Sequence, residues 1–91
     1  MKVAIVGYAT EGEESARYWH ALGNEVTVCD VNTSLQIPAE YDSRLGESYL
    51  ENLDVFDVVV RTAGMHPRLL LEKNPSIISK ITTSLGEFMR V

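Results

Sequence analysis

Ninety-one residues, 45% hydrophobic and 23% charged, describe one small globular domain expected to bury about 60–65% of its unfolded surface, which excludes a second domain and a disordered chain. A net charge of −5 and a pI near 4.9 exclude non-specific binding to nucleic acid or to an anionic membrane, since both need a basic surface. A single cysteine, Cys29, rules out an internal disulfide, no Cys/His spacing suits zinc, and no apolar run spans a membrane, so a reducing cytoplasm is expected and a bound metal is not.

The chain opens on Val3-Ala4-Ile5-Val6, a short apolar run that reads as a strand covered on both faces. It is too short for the apolar core of a signal peptide and is cut by Gly7. Gly7, Ala9 and Gly12 fall on the three glycine positions of the pattern G-x-G-x-x-G, with alanine in the middle. In that pattern the backbone approaches a pyrophosphate and the free N–H groups of the following helix meet its charge. A tight strand-to-helix turn without a ligand is the competing reading of the same residues.

Gly12, Ala16, Trp19 and Gly23 recur at helical spacing, which predicts a helix over residues 11–22 with Trp19 in the core, stopped by Gly23-Asn24. A second strand follows at 25–30. Two parallel strands joined by a helix cross right-handed and leave both C-terminal ends on one edge of the sheet. Asp30 ends the second strand about 20 residues beyond the turn, where a carboxylate reaches nucleotide hydroxyls; an Asx turn or helix cap is the alternative.

Residues 31–44 lose periodicity and read as a surface loop, with a brief edge strand at 42–46. A short helix is expected at 47–53, with Tyr49, Leu50 and Leu53 inward, and a third buried strand at 57–61. It empties into a second small-residue turn at 62–67, beside the first. Leu69, Leu70 and Leu71 predict a short helix stopped by Asn74-Pro75, residues 77–82 a further strand, and Ser84 with Glu87 a capping box for a helix beginning at Leu85. That helix has barely two turns before Val91, so the 91 residues are expected to be one domain of a longer protein. The pattern is α/β: a Rossmann-like parallel sheet with flanking helices in three layers.

Taken in this order and spacing, residues 3–12, 22–30, 57–65 and 81–88 resemble the N-terminal domain of the Mur ligases of peptidoglycan synthesis, and among these the type that adds D-glutamate to UDP-N-acetylmuramoyl-L-alanine. The resemblance covers essentially the whole chain. It implies a sheet of about five strands that holds the UDP part of that substrate, with ATP and magnesium on a central domain and D-glutamate on a C-terminal one, both in cis. It carries the nucleotide contacts onto Gly7, Tyr8, Ala9, Thr10, Glu11 and Gly12, onto Asp30, Val31 and Asn32, and onto Thr62, Ala63 and Gly64. No catalytic residue is implied here, nor a cofactor of this domain itself. No G-x-x-x-x-G-K-[ST] loop occurs in the 91 residues, so the ATP-dependent step lies outside them.

Three departures stand out. Ala9 replaces the middle glycine, and Ala63 stands where the family often has proline before glycine. Glu11, Glu13 and Glu14 crowd the first helical turn, where Thr10 and Glu13 have capping-box spacing and carboxylates gain about 0.3–1 kcal/mol from the helix dipole. That turn can satisfy itself, and a diphosphate beside it meets repulsion unless the carboxylates point into solvent. His20 and His66 have no visible catalytic partner. Two other functions fit the same residues: a nicotinamide-dinucleotide domain of an oxidoreductase, and a non-catalytic module whose site has decayed.

Overall fold

The computed structural model describes residues 1–8, 10–62 and 67–83. Five strands, β1 (Lys2–Val6), β2 (Glu25–Asp30), β3 (Asp42–Leu45), β4 (Val58–Arg61) and β5 (Ile81–Thr83), form one parallel sheet in the order β3-β2-β1-β4-β5. Helix α1 (Thr10–Ala21) joins β1 to β2, and α2 (Pro67–Lys73) lies between β4 and β5. The expected α/β parallel sheet is present with its expected strand number.

Strand alternation distributes the core to two faces. Val3, Ile5, Val26 and Val60 pack on one face against Ala16 and Trp19 of α1. Ala4, Val6, Cys29 and Val59 pack on the other against Leu50, Leu53, Phe56, Leu70 and Ile77. Val3 to Val6 are completely buried, as a strand with neighbours on both edges and layers on both faces requires. The start of β4 is tied to β1 twice, by Lys2 N–H to Asp57 Oδ2 and by Asp57 N–H to Lys2 O, each at 2.8 Å. Trp19 is a core residue, as its helical phase predicts.

Two element predictions are corrected. Residues 47–53 form consecutive turns rather than a helix, ending in a 3-10 turn at Leu53–Val55. Asn52 sits in the left-handed region at φ 55°, which a continuing helix does not permit, and the carbonyls of Glu51 and Asn52 accept from Arg44, which stacks 4.9 Å over Phe56. Leu50 and Leu53 nevertheless face inward as predicted.

The expected strand at 77–82 is a 3-10 turn over Pro75–Lys80 followed by the shorter β5. Proline at the first position presets the helical φ, and Ile77 N–H closes the turn on Asn74 O at 3.1 Å. The helix expected at 69–71 is longer, starting at Pro67. The capping box of Ser84 and Glu87 lies outside the described residues.

Cys29, at the end of β2, is completely buried. Burial pushes its thiol up to about 12, with Asp30 adding to the rise and Arg44 opposing it. The folded thiol therefore keeps its proton at pH 8 and is expected to resist thiolate-selective reagents until the chain opens. Because the unfolded thiol ionises near 8.5 and so binds fewer protons than the folded one above that pH, stability from this group is present below about pH 8.5 and falls toward pH 12. Dithionitrobenzoate labelling with and without urea checks the first statement: prompt labelling of the folded chain would contradict it.

Candidate functional site

Parallel strands deliver the ends of β1, β2 and β4 to one edge of the sheet. The strand order reverses between β1 and β4, with successive connections leaving to opposite sides; in such sheets this switch point is where ligands bind. The glycine turn after β1 sits there, with Asp30 on one side and Thr62 on the other.

The turn is shaped by backbone that tolerates no side chain. Gly7 has φ +92°, and a Cβ on it would lie 2.5 Å from Thr62 Oγ1. Gly12, in the first turn of α1, faces the Gly7 carbonyl so closely that a Cβ there would strike that oxygen, with Thr62 Cγ2 at 3.5 Å. The first and third glycine positions thus fold the turn back on the helix it precedes. Gly7 N–H donates to Cys29 O at 2.8 Å, and Thr62 donates to Val6 O through both its N–H and its Oγ1, each at 3.2 Å. The Thr62 proton is engaged by Val6, leaving only acceptor lone pairs for anything above the edge.

Asp30 is a clamp across the edge. Its Oδ2 accepts from Tyr8 N–H at 2.8 Å and its Oδ1 from Asn32 N–H at 2.9 Å, while its carbonyl accepts from Gly46 N–H at 2.9 Å. Asn32 repeats the Asx pattern on Ser34 N–H at 2.9 Å. The alternative reading of Asp30 as an Asx turn is therefore realised, yet the second oxygen also binds the glycine turn 22 residues earlier. Val31, next along, is 57% exposed.

Of the residues singled out in the sequence, Gly7, Tyr8, Gly12, Asp30 and Thr62 are brought together. Thr10 opens α1 as an exposed residue, and Asn32 is held by Asp30. Glu11 lies in α1, its side chain outside the described residues, as are Ala9, Ala63, Gly64 and His66 altogether. Glu13 and Glu14 are exposed, so their charges are open to solvent screening. His20 makes an edge contact with Tyr41 at 5.4 Å between ring centroids.

The structure adds a cleft that periodicity did not reveal. It has a volume of about 310 Å³ and runs between α1 and the loop before β3, lined by Tyr8, Glu13, Arg17, Gln36, Pro38, Glu40 and Tyr41. Burial raises the Tyr8 phenol above its usual range, with Glu13, Tyr41 and Glu40 adding to the rise and Arg17 opposing it. Tyr41 is raised by burial and Glu40, again against Arg17. Both phenols are therefore protonated donors at neutral pH. Turn formers in residues 32–38 signalled a loop; what they could not signal is that it folds back beside α1.

No family model matches the chain, and no solved structure matches it. Over 99% of its length the chain is 27% identical to a UDP-N-acetylmuramoylalanine–D-glutamate ligase of Acetivibrio thermocellus. Over 98% of its length it is 31% identical to enzymes of the same name from Clostridium novyi and Clostridium tetani. It spans about 21% of the length of each of these relatives.

Proposed function

We propose that this chain, similar over nearly its whole length to part of the UDP-N-acetylmuramoylalanine–D-glutamate ligases, is the domain of such an enzyme that binds the UDP portion of UDP-N-acetylmuramoyl-L-alanine. The observation that carries the reading is the glycine turn at the switch point, packed against Thr62 and clamped by Asp30 in a chain with that similarity. Formation of the amide bond, with ATP and magnesium, and the binding of D-glutamate belong to further domains in cis. No helix among the described residues is long and apolar enough to cross a membrane.

The chemistry at the edge favours backbone recognition of the diphosphate. Thr62 has committed its hydroxyl proton to Val6 and the Asp30 carboxylate can only accept, so the N–H groups opening α1 are the natural donors for an anion. The exposed Glu13 and Glu14 weaken that attraction. Affinity of the 91 residues alone is expected to be low, since the muramoyl part extends toward the other domains.

Titrating UDP-N-acetylmuramoyl-L-alanine into nitrogen-15-labelled protein is expected to shift the amides of Gly7, Tyr8, Gly12 and Thr62 saturably. Absence of shifts at millimolar ligand would sink binding by this chain. Saturable NAD binding tighter than that of the UDP-sugar would instead favour an oxidoreductase domain.

A further inference from the structure

Strand β3 stands at one end of the sheet order, and among the described residues no strand pairs with its outer edge. Backbone alternation fixes which groups face outward. Gly46 N–H donates inward to Asp30 O at 2.9 Å, so Arg44, two residues earlier, also turns its N–H and C=O toward β2, while Ser43 and Leu45 turn theirs away. We propose that this edge pairs with the same edge of a second copy of the chain, antiparallel about a two-fold axis at Ser43; the pairing does not depend on the nucleotide function proposed above.

Three observations carry it. First, the edge is open. Edge strands are commonly protected by proline, lysine, a bulge or a covering segment, but β3 reads Asp-Ser-Arg-Leu and its register with β2 is unbroken. Clefts flank it on its outer side, one of about 270 Å³ that includes Asp42, Ser43, Arg44 and Val55, and one of about 370 Å³ that includes Ser43, Arg44, Leu45 and Ser48. Charge is its only guard, and the signs select the partner.

Second, those charges are self-complementary, as a two-fold contact requires. With Ser43 opposite its own counterpart, the two serines exchange a pair of N–H to C=O bonds. Asp42 of each copy then falls opposite Arg44 of the other, in the non-hydrogen-bonded positions where Cα atoms come within about 4.5 Å and side chains are closest. Opposite charges so placed attract, whereas moving the axis to Arg44 would set two guanidinium groups against each other. Arg44 keeps its place in the fold throughout: Nη1 serves the carbonyls of Glu51 and Asn52, leaving Nε and Nη2 for a carboxylate. Third, Val55, 54% exposed, lines the cleft beside Asp42 and Arg44, so apolar surface adjoins the polar ladder.

Two short strands bury far less than the roughly 1,200 Å² of a stable interface, so a dissociation constant on the order of 0.1–1 mM is expected. Sedimentation equilibrium of the chain from micromolar to millimolar concentration should show its mass rising from 10.1 kDa toward twice that value, with the amides of Ser43 and Leu45 shifting more than that of Arg44. Ser43→Pro removes the outward N–H and spares the β2 ladder, the kind of edge position where proline is tolerated; it is expected to weaken association by about 10-fold or more. Asp42→Lys, at an exposed residue, sets like charges opposite each other and is expected to weaken it by about 10-fold, with partial recovery at high salt. If Ser43→Pro perturbs the amides of the other strands, Asp42→Lys decides alone. A mass of one chain at millimolar concentration would overturn the proposal, and so would self-association that Asp42→Lys leaves unchanged.

Discussion

Gly12→Ala is expected to destabilise the chain by about 1–3 kcal/mol, the usual cost of forcing an extra carbon into a filled space, and to abolish ligand shifts at the glycine turn. The sign is the point of the experiment. Gly12 lies within α1, where alanine is ordinarily preferred to glycine by about 0.8–1 kcal/mol, so helix propensity alone predicts a more stable protein. Against it stands the Gly7 carbonyl, which a Cβ on Gly12 would strike. That oxygen is backbone, attached to a glycine whose φ of +92° and whose N–H to Cys29 O bond at 2.8 Å already hold it in place. It cannot swing aside as a side chain can, so either α1 retreats from β1 or the turn opens. Gly23→Ala is the control: Gly23 has φ +90° but nothing within 4 Å of an added Cβ, so it should cost backbone strain of about 1–2 kcal/mol and leave the turn amides unmoved. Urea unfolding of both variants, with their amide spectra, decides the matter. A Gly12→Ala protein more stable than the parent would mean the turn is not packed as described.

Asn74→Ala is expected to cost more, about 2–4 kcal/mol. Asn74 is buried, and its side chain bridges two backbone groups on the far side of the core: Oδ1 accepts from Leu53 N–H at 3.0 Å and Nδ2 donates to Leu50 O at 2.6 Å. Alanine removes both partners and leaves a donor and an acceptor unpaired inside the protein, each costing about 1–3 kcal/mol. These groups carry Leu50 and Leu53 into the core, so the loop between β3 and β4 should loosen with them. Asn74→Asp is the more discriminating variant. Its carboxylate can still accept from Leu53 but cannot donate to Leu50 and brings a charge into the interior, so it should be no better than alanine at neutral pH. A urea midpoint unchanged in either variant would show that the bridge does not bear on stability.

The contrast between these two positions shows how far the residues can be read directly. Gly12 was identifiable from spacing, because the third glycine of the turn is a local pattern. Asn74 was read only as a helix stop before Pro75, which it is; its bridge joins residues 21 and 24 positions away, and no local pattern encodes such a distance. The strands β1, β2 and β4 were equally plain, being apolar runs bounded by glycine, asparagine or aspartate. Residues 47–53 and 77–80 depart from the expected elements for one reason: short segments of mixed apolar and polar residues satisfy helical and extended periodicity alike, and the choice falls to Asn52, Arg44 and Pro75.

The candidate site divides in the same way. Gly7, Gly12, Asp30 and Thr62 end strands or open a helix, so their meeting follows from parallel topology. Arg17, Gln36 and Tyr41 belong to an exposed helix face and to a loop without periodicity, and they share a cleft only because that loop lies beside α1.

By itself, then, the amino-acid sequence determined the α/β class, the glycine turn after β1 and the acid at the end of β2, since each rests on residues within one or two turns of chain and on the steric demands of glycine. Tertiary structure alone decided what those groups do. It set the Asp30 carboxylate on Tyr8 N–H, the Thr62 hydroxyl on Val6 O and Gly12 against Gly7 O. The reason is physical: a hydrogen bond or a clash is settled within about 3 Å, and only the packed sheet brings residues so far apart in the chain to that distance.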